Sequence, residues 1–287
     1  YTAHDLKMLC LNYKMMQHGK ICEECKGGRY YCCVKNKCVK NSLLKSSINM
    51  VEGYLHEWRK SYAVIDRIIT PSEFYRNKFI EFGIKAERVS HISNFLDTEK
   101  PQISLRIDRE KYYLYFGRLS EEKGVLTLLK SFKNISETLY IVGTGPIKEQ
   151  AIDFIKVNNM SNVKILGFMT GQELKEIVGN AKAIILPSEW YENGPYSAIE
   201  ALQLGRPIIG ANIGGIPELI VNNGFLFESG NADDLTRQIK KMSKTPMRNY
   251  NEMKIASETL FTNCYTAEIH YKQLKKIYQE AMRDHEK

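Results

Sequence analysis

Ala183-Ile-Ile-Leu-Pro187, a short turn, and then Glu192-Asn-Gly-Pro-Tyr-Ser-Ala-Ile-Glu200 make up the stretch that decides how this chain reads. The first string is apolar, as a strand buried on both faces requires. The second opens an amphipathic helix expected over Ser197–Leu204 and closed by Gly205. Gly194 lets the backbone turn, and Pro195 suits the first helical position, where a missing N–H costs nothing. Glu192 therefore falls in a strand-to-helix loop, and Glu200 about one and a half turns into the helix. Backbone N–H groups around the helix start, those of Gly194, Tyr196 and Ser197, favour an anion. Two hydroxyl-accepting carboxylates around an anion site suit a molecule with hydroxyls at both ends and a diphosphate between.

Working outward, the same alternation repeats from Tyr112 onward. Strands are expected at Tyr112–Phe116, Thr138–Val142, Val163–Leu166, Lys182–Leu186, Pro207–Gly210 and Gly224–Phe227. Amphipathic helices lie between the first five, joined by short glycine-rich turns. Such βα repetition predicts an α/β fold with a parallel sheet covered on both faces, whose ligands bind beyond the carboxyl ends of the strands. Before residue 97 the pattern is sparser. Tyr1-Thr-Ala-His4-Asp5 reads as a strand end, Leu43–Trp58 and Phe74–Phe82 as helices, and Arg67–Thr70 and Val89–Ile92 as strands. The chain is therefore expected to divide into a partial first domain (1–96), a linker (97–110), a second domain (111–260) and a C-terminal helix (261–287) packing back toward the first domain. The first domain is expected to lack its N-terminal part.

At 287 residues, with ordinary apolar and charged content, two modest domains fit better than one. No apolar run approaches the roughly 20 residues of a membrane span, and no signal peptide opens the chain. A cytoplasmic protein is expected, or one held peripherally at the inner face of the plasma membrane. Of the net charge of +8, residues 1–96 carry 16 Lys and Arg against 9 Asp and Glu. That imbalance is either a solvated basic surface or a site for an anionic acceptor or membrane face. No nucleic-acid motif accompanies it, so nucleic acid is not an expected partner.

Five of seven cysteines lie in the loop 22–38, Cys22-Glu-Glu-Cys25-Lys-Gly-Gly-Arg-Tyr-Tyr-Cys32-Cys33-Val-Lys-Asn-Lys-Cys38. A C-x2-C start with two later thiols fits structural zinc; free thiols and disulfides are the alternatives. A catalytic metal is not expected. Cys10 and Cys264 stand alone and read as small buried apolar residues.

Several strings recur in one order: Thr2-Ala-His4-Asp5; Thr70-Pro-Ser72 with Asn94; Gly117-Arg118-Leu-Ser-Glu-Glu-Lys123-Gly124; Val142-Gly143-Thr-Gly145-Pro146; Leu166-Gly167-Phe168; and Glu192 to Glu200. In this order the chain resembles the family-4 retaining glycosyltransferases of the GT-B fold. That resemblance implies two Rossmann-like, doubly wound parallel-sheet domains, the N-terminal one incomplete here. It favours Cys22, Cys25, Cys33 and Cys38 as the zinc set over a set with Cys32.

The resemblance assigns Arg118 and Lys123 to the diphosphate of a nucleoside-diphosphate sugar, Glu192 to the donor sugar and Glu200 to the ribose hydroxyls. Phe168 and Met169 fall where the family holds the base, although core packing would equally use a Phe. Gly143 and Gly145 allow close approach of chain or ligand. His4 resembles the histidine facing the donor sugar, and Asp5 either orients it or caps the following turn. The implied reaction moves a sugar to an acceptor hydroxyl with retained configuration, without a catalytic cofactor, on a glycan or lipid-linked acceptor of cell-surface polysaccharide or glycolipid synthesis. A GT-B sugar-nucleotide epimerase and a non-catalytic sugar-nucleotide-binding remnant are the alternatives.

Overall fold

A computed structural model describes residues 1–97, 99, 101–104 and 110–285. Much of the expected linker, positions 98, 100 and 105–109, lies outside the described residues. The chain divides into two compact units, Tyr1–Ser93 with Tyr271–Lys287, and Asn94–His270.

The first unit contains a hairpin, β1 (Met16–Gln17) and β2 (Lys20–Ile21), then α1 (Tyr31–Lys35) and α2 (Leu43–Trp58). These are followed by β3 (Ile68–Thr70), α3 (Glu73–Glu81) and β4 (Val89–His91). β3 and β4 pair in parallel, and Thr2 bridges to Ile69 on the other edge of β3. Tyr1–Ala3 thus run strand-like beside β3, with Ile69 N–H donating to the Tyr1 carbonyl and Ala3 N–H to that of Ile69. Ser42 and Ser72 cap α2 and α3, accepting from the N–H three residues on. The latter part of α10 (Ala267–His285) belongs to this unit, where Ile277 and Leu274 pack with Ile69 and Ile92.

The second unit is a six-stranded, wholly parallel sheet: β5 (Tyr112–Phe116), β6 (Thr138–Val142), β7 (Val163–Gly167), β8 (Ala183–Leu186), β9 (Ile208–Ala211) and β10 (Gly224–Phe227). The helices are α4 (Val125–Phe132), α5 (Lys148–Val157), α6 (Gly171–Gly179), α7 (Tyr196–Gln203), α8 (Ala232–Ser243) and α9 (Met247–Cys264). The spatial order is β10-β9-β8-β5-β6-β7, so the order reverses between β5 and β8. In an open parallel sheet, the loops leaving the two strands at such a reversal diverge and leave a crevice for ligand.

β5 shows why tyrosines suit a fully buried strand. Its five residues are all buried, and each tyrosine hydroxyl reaches a backbone carbonyl: Tyr112 donates to Ile177 (2.6 Å), Tyr113 to Ile239 (3.1 Å) and Tyr115 to Arg118 (2.6 Å). The last of these bonds ties the strand to the loop that follows it. One detail of the opening stretch differs from expectation. Pro195 is the N-cap of α7, with ψ 131°, and the helix starts at Tyr196.

Candidate active site

The loops leaving β5 and β8 meet at the reversal. Gly124 starts α4 in the left-handed region (φ 67°), and a Cβ there would stand 1.8 Å from the Pro187 carbonyl oxygen. Glu189 N–H donates to the Glu122 carbonyl (2.9 Å), and Thr127 Oγ1 to Glu189 Oε1 (2.6 Å). Only glycine permits this closeness.

Within that junction, Lys123 Nζ lies 2.6 Å from Glu192 Oε1. Ser188 Oγ donates to the same oxygen at 2.6 Å. Glu192 is 5% exposed, so its charge is held by a cation and a hydroxyl, as a buried carboxylate requires. Lys123 also stands 5.3 Å from the centre of the Trp190 ring, which offers it a cation–π contact. Ser120 Oγ and Trp190 Nε1, one from each loop, are buried with no hydrogen-bond partner among the described residues. Arg118 is exposed, and no ion pair engages its guanidinium among the described residues. The junction therefore presents one bound and one available cation beside two unpaired buried polar atoms.

The loop after β8 is held from two further sides. Asn94 Nδ2 donates to the Gly194 carbonyl at 2.9 Å. Gly215 N–H donates to the Glu192 carbonyl at 2.8 Å, and a Cβ on Gly214 (φ 59°) would come within 2.5 Å of Glu192 N. Ser188 and the pair Gly214-Gly215 are absent from the sequence-derived site, although a glycine doublet after a buried strand does signal close backbone approach. Gly143 and Gly145 permit close approach of the chain. Their Cβ atoms would lie 1.9 Å from the Gly117 carbonyl oxygen and 2.3 Å from that of Leu119, seating the loop after β6 against the Arg118 loop.

The N–H groups of Tyr196 and Ser197 lie in the first turn of α7 without an acceptor among the described residues. Glu200, on the same helix, is not joined by a hydrogen bond or ion pair to Lys123 or Glu192. It lines a separate cavity of about 210 Å³ between α6 and α7, with Leu174, Lys175 and Gln203. Burial raises its carboxyl pKa, and Lys175 only partly offsets the effect. Phe168 is 73% exposed beyond the end of β7, which rules out the core-packing alternative, whereas Met169 packs partly into the core. His4 lies in the first unit, exposed, just past the Thr2 bridge. Asp5 caps the following turn, its Oδ1 accepting from Lys7 N–H at 2.8 Å.

The cysteine expectations need correction. All seven cysteines are free thiols, and no group of three or more His, Cys, Asp or Glu among the described residues is placed to hold a metal ion. As placed here, Cys22, Cys25, Cys33 and Cys38 do not form such a group. Cys33 is buried on α1, and its sulfur accepts from Cys38, which lowers the Cys33 pKa to about 7 and raises that of Cys38. Burial pushes Cys25 up to about 12, keeping it protonated. Cys10 is not isolated, since it lines one small cavity with Cys22, Cys25 and Cys38. Cys264 is exposed rather than buried.

Comparison with known proteins agrees with this layout. The chain is 25% identical over 211 residues to the amylovoran biosynthesis glycosyltransferase AmsK of Erwinia amylovora, covering 68% of this chain and 52% of the relative. It is 30% identical over 188 residues to a glycogen synthase of Mycobacterium tuberculosis, covering 62% and 44%. The chain thus spans about half the length of the curated relatives it matches. Among solved structures, Anabaena Alr3699/HepE in complex with UDP and glucose aligns with a TM-score of 0.68 at 20% identity, over 75% of this chain and 63% of that one. TarM of S. aureus aligns with a TM-score of 0.62 at 20% identity, over 76% and 46%. These likenesses establish the GT-B fold. The family profile described as "Glycosyl transferases group 1" matches residues 97–259, more than half the chain and all of the loops that build the junction. The chain belongs to the group 1 glycosyl transferases.

Proposed function

We propose that this chain carries the donor side of a retaining glycosyltransferase, which moves a sugar from a nucleoside-diphosphate donor to an acceptor hydroxyl in polysaccharide or glycolipid synthesis. The observation that carries the reading is the Lys123–Glu192 pair beside the unengaged Arg118, at the reversal of strand order. A diphosphate seated there would meet both cations, and Arg118 and Lys123 would stabilise the charge that develops as the sugar–phosphate bond breaks. Glu192 fixes the Lys123 ammonium and would turn its remaining acceptor capacity to sugar hydroxyls. The Tyr196 and Ser197 N–H groups are further donors for ligand oxygens at a helix start.

The Glu200 carboxylate would accept from the vicinal ribose hydroxyls, and Phe168 and Met169 would border the base. Attack from the face that the phosphate leaves would retain configuration, with the departing phosphate oxygen taking the acceptor proton. In this scheme Arg118 and Lys123 neutralise the diphosphate, so no metal ion is required. HepE has been solved with UDP and glucose, which makes UDP-glucose the first donor to try.

Calorimetric titration of the chain with UDP and a panel of nucleotide sugars tests the reading, in the presence and absence of a chelator. Binding of at least one is expected, unaffected by the chelator and weakened strongly by Arg118→Ala. Failure of every nucleoside diphosphate and nucleotide sugar to bind a folded sample would sink it.

A further inference from the structure

Helix α1 ends in a Schellman turn whose customary apolar contact is made by two thiols. Lys37 follows the C-cap Asn36 in the left-handed region (φ 48°), and its N–H donates to the Val34 carbonyl at 3.0 Å. Cys38 N–H reaches back to the Cys33 carbonyl, also at 3.0 Å. These two nested bonds define the motif, and they bring its first and last side chains together, where an apolar pair commonly packs. Here the pair is Cys33, which is buried, and Cys38, which is half-buried. The Cys38 thiol donates to the Cys33 sulfur.

Helix α2 braces this contact from the side. Ser46, fully buried on α2, accepts from the N–H of Val39 at 3.1 Å and donates to the Cys33 sulfur. Val39 directly follows Cys38, so one hydroxyl steadies both members of the pair. Neighbouring thiols are disposed otherwise. Cys32 precedes Cys33 on the same helix and so lies about 100° around it. Cys10 donates to Asn12 Oδ1 at 3.0 Å. A buried free cysteine usually serves as a small apolar residue. The ordinary obstacle to joining two of them is backbone separation, and the turn at 33–38 has already removed it.

We propose that Cys33 and Cys38 are a site of reversible two-electron oxidation, closed to a disulfide by hydrogen peroxide and reopened by a dithiol. Cys38, the less buried member, meets the oxidant. Its sulfur attacks one peroxide oxygen, the S–O bond forms as the O–O bond breaks, and one water leaves. The Cys33 sulfur then displaces hydroxide from the resulting sulfenic acid, forming the S–S bond and releasing a second water. Both thiol protons depart in the two waters; each sulfur loses one electron and each peroxide oxygen gains one. The bond would staple the end of α1 beside the start of α2. All of these residues lie in the first unit, so the inference is independent of the donor-site reading.

Peptide mapping of the full reduced chain tests it, after graded exposure to peroxide, quenching with catalase and alkylation of the remaining thiols. Cys33 and Cys38 are expected to lose alkylation in step, as one linked species lacking two hydrogens, and to regain it with dithiothreitol. Cys38→Ser should abolish that species and leave Cys33 open to alkylation. A different pair as the main disulfide, or a product at either residue that dithiothreitol does not reverse, would overturn the assignment. So would stoichiometric zinc in the chain as purified, shielding both thiols from alkylation until a chelator is added. That result would make the two cysteines metal ligands instead.

Discussion

Arg118 and Lys123 are five residues apart and meet different surroundings. Lys123 is committed to Glu192 at 2.6 Å, whereas Arg118 is exposed. Arg118→Ala should therefore leave stability unchanged and cost about 2.7–4 kcal/mol in kcat/KM, the range for a lost charge-stabilising donor. Unchanged turnover would remove Arg118 from the reaction. Lys123 and Glu192 should behave as a unit. A double-mutant cycle with Lys123→Met and Glu192→Gln, read by urea denaturation, should give a coupling of roughly 0.5–3 kcal/mol, and additive effects would dissolve the pair. Glu200 presents an opposite case, a carboxylate whose pKa is raised by burial. The stability attributable to such a group is fully present below the ordinary carboxylate range and is lost as pH rises through the elevated value. Glu200→Gln should accordingly raise Tm at neutral pH and have no effect near pH 4, while weakening nucleotide binding. A Tm gain that persists in acid would contradict the assigned cause.

Among the elements, strands and their helices were readable because periodicity is local. The sheet strands from Tyr112 onward lie within a residue or so of their expected bounds, and α2 lies at Leu43–Trp58 as read. Helices α8 and α9 were not among the expected elements, although α8 shows a capping Asn231 and buried Leu235, Ile239 and Met242 at helical spacing. The turns carry the information that periodicity lacks. Gly124 combines a positive φ with a 1.8 Å Cβ approach to Pro187. Gly124→Ala should destabilise the fold by at least about 1–2 kcal/mol from the backbone conformation alone, and by more once the loops separate. It should also weaken donor binding, since the loops it seats carry Lys123 and Glu192. Full stability in chemical denaturation would show that the two loops part without cost.

Across the molecule, distant segments are tied by contacts that no local pattern announces. Glu110, just before β5, accepts from Arg206 (3.2 Å) and from Lys254 of α9 (2.8 Å). Burial works against its ionised form, yet the two cations hold its pKa below the ordinary value. The resulting stability is present above the ordinary carboxylate range, about 4.3, and is lost as pH falls through the depressed value. Glu110→Gln should thus cost stability at pH 7, by about 1–3 kcal/mol, and progressively less toward acid. Equal loss at both pH values would point away from the ion pairs.

The sequence by itself determined the α/β alternation, the parallel sheet, the Glu192–Glu200 segment at a strand end and the kinship that its ordered motifs express. Those follow from local periodicity, turn chemistry and spacing, which a linear chain displays directly. Only the tertiary structure decided which groups meet. It joined Lys123 to Glu192 across 69 residues and sent Glu200 to its own cavity. It also set two motif glycines where loops pack closely and left the four well-spaced cysteines outside any metal-holding group among the described residues. The physical reason is that spacing along the chain limits where a side chain can reach, whereas burial, backbone approach and partner charge choose among the places within reach.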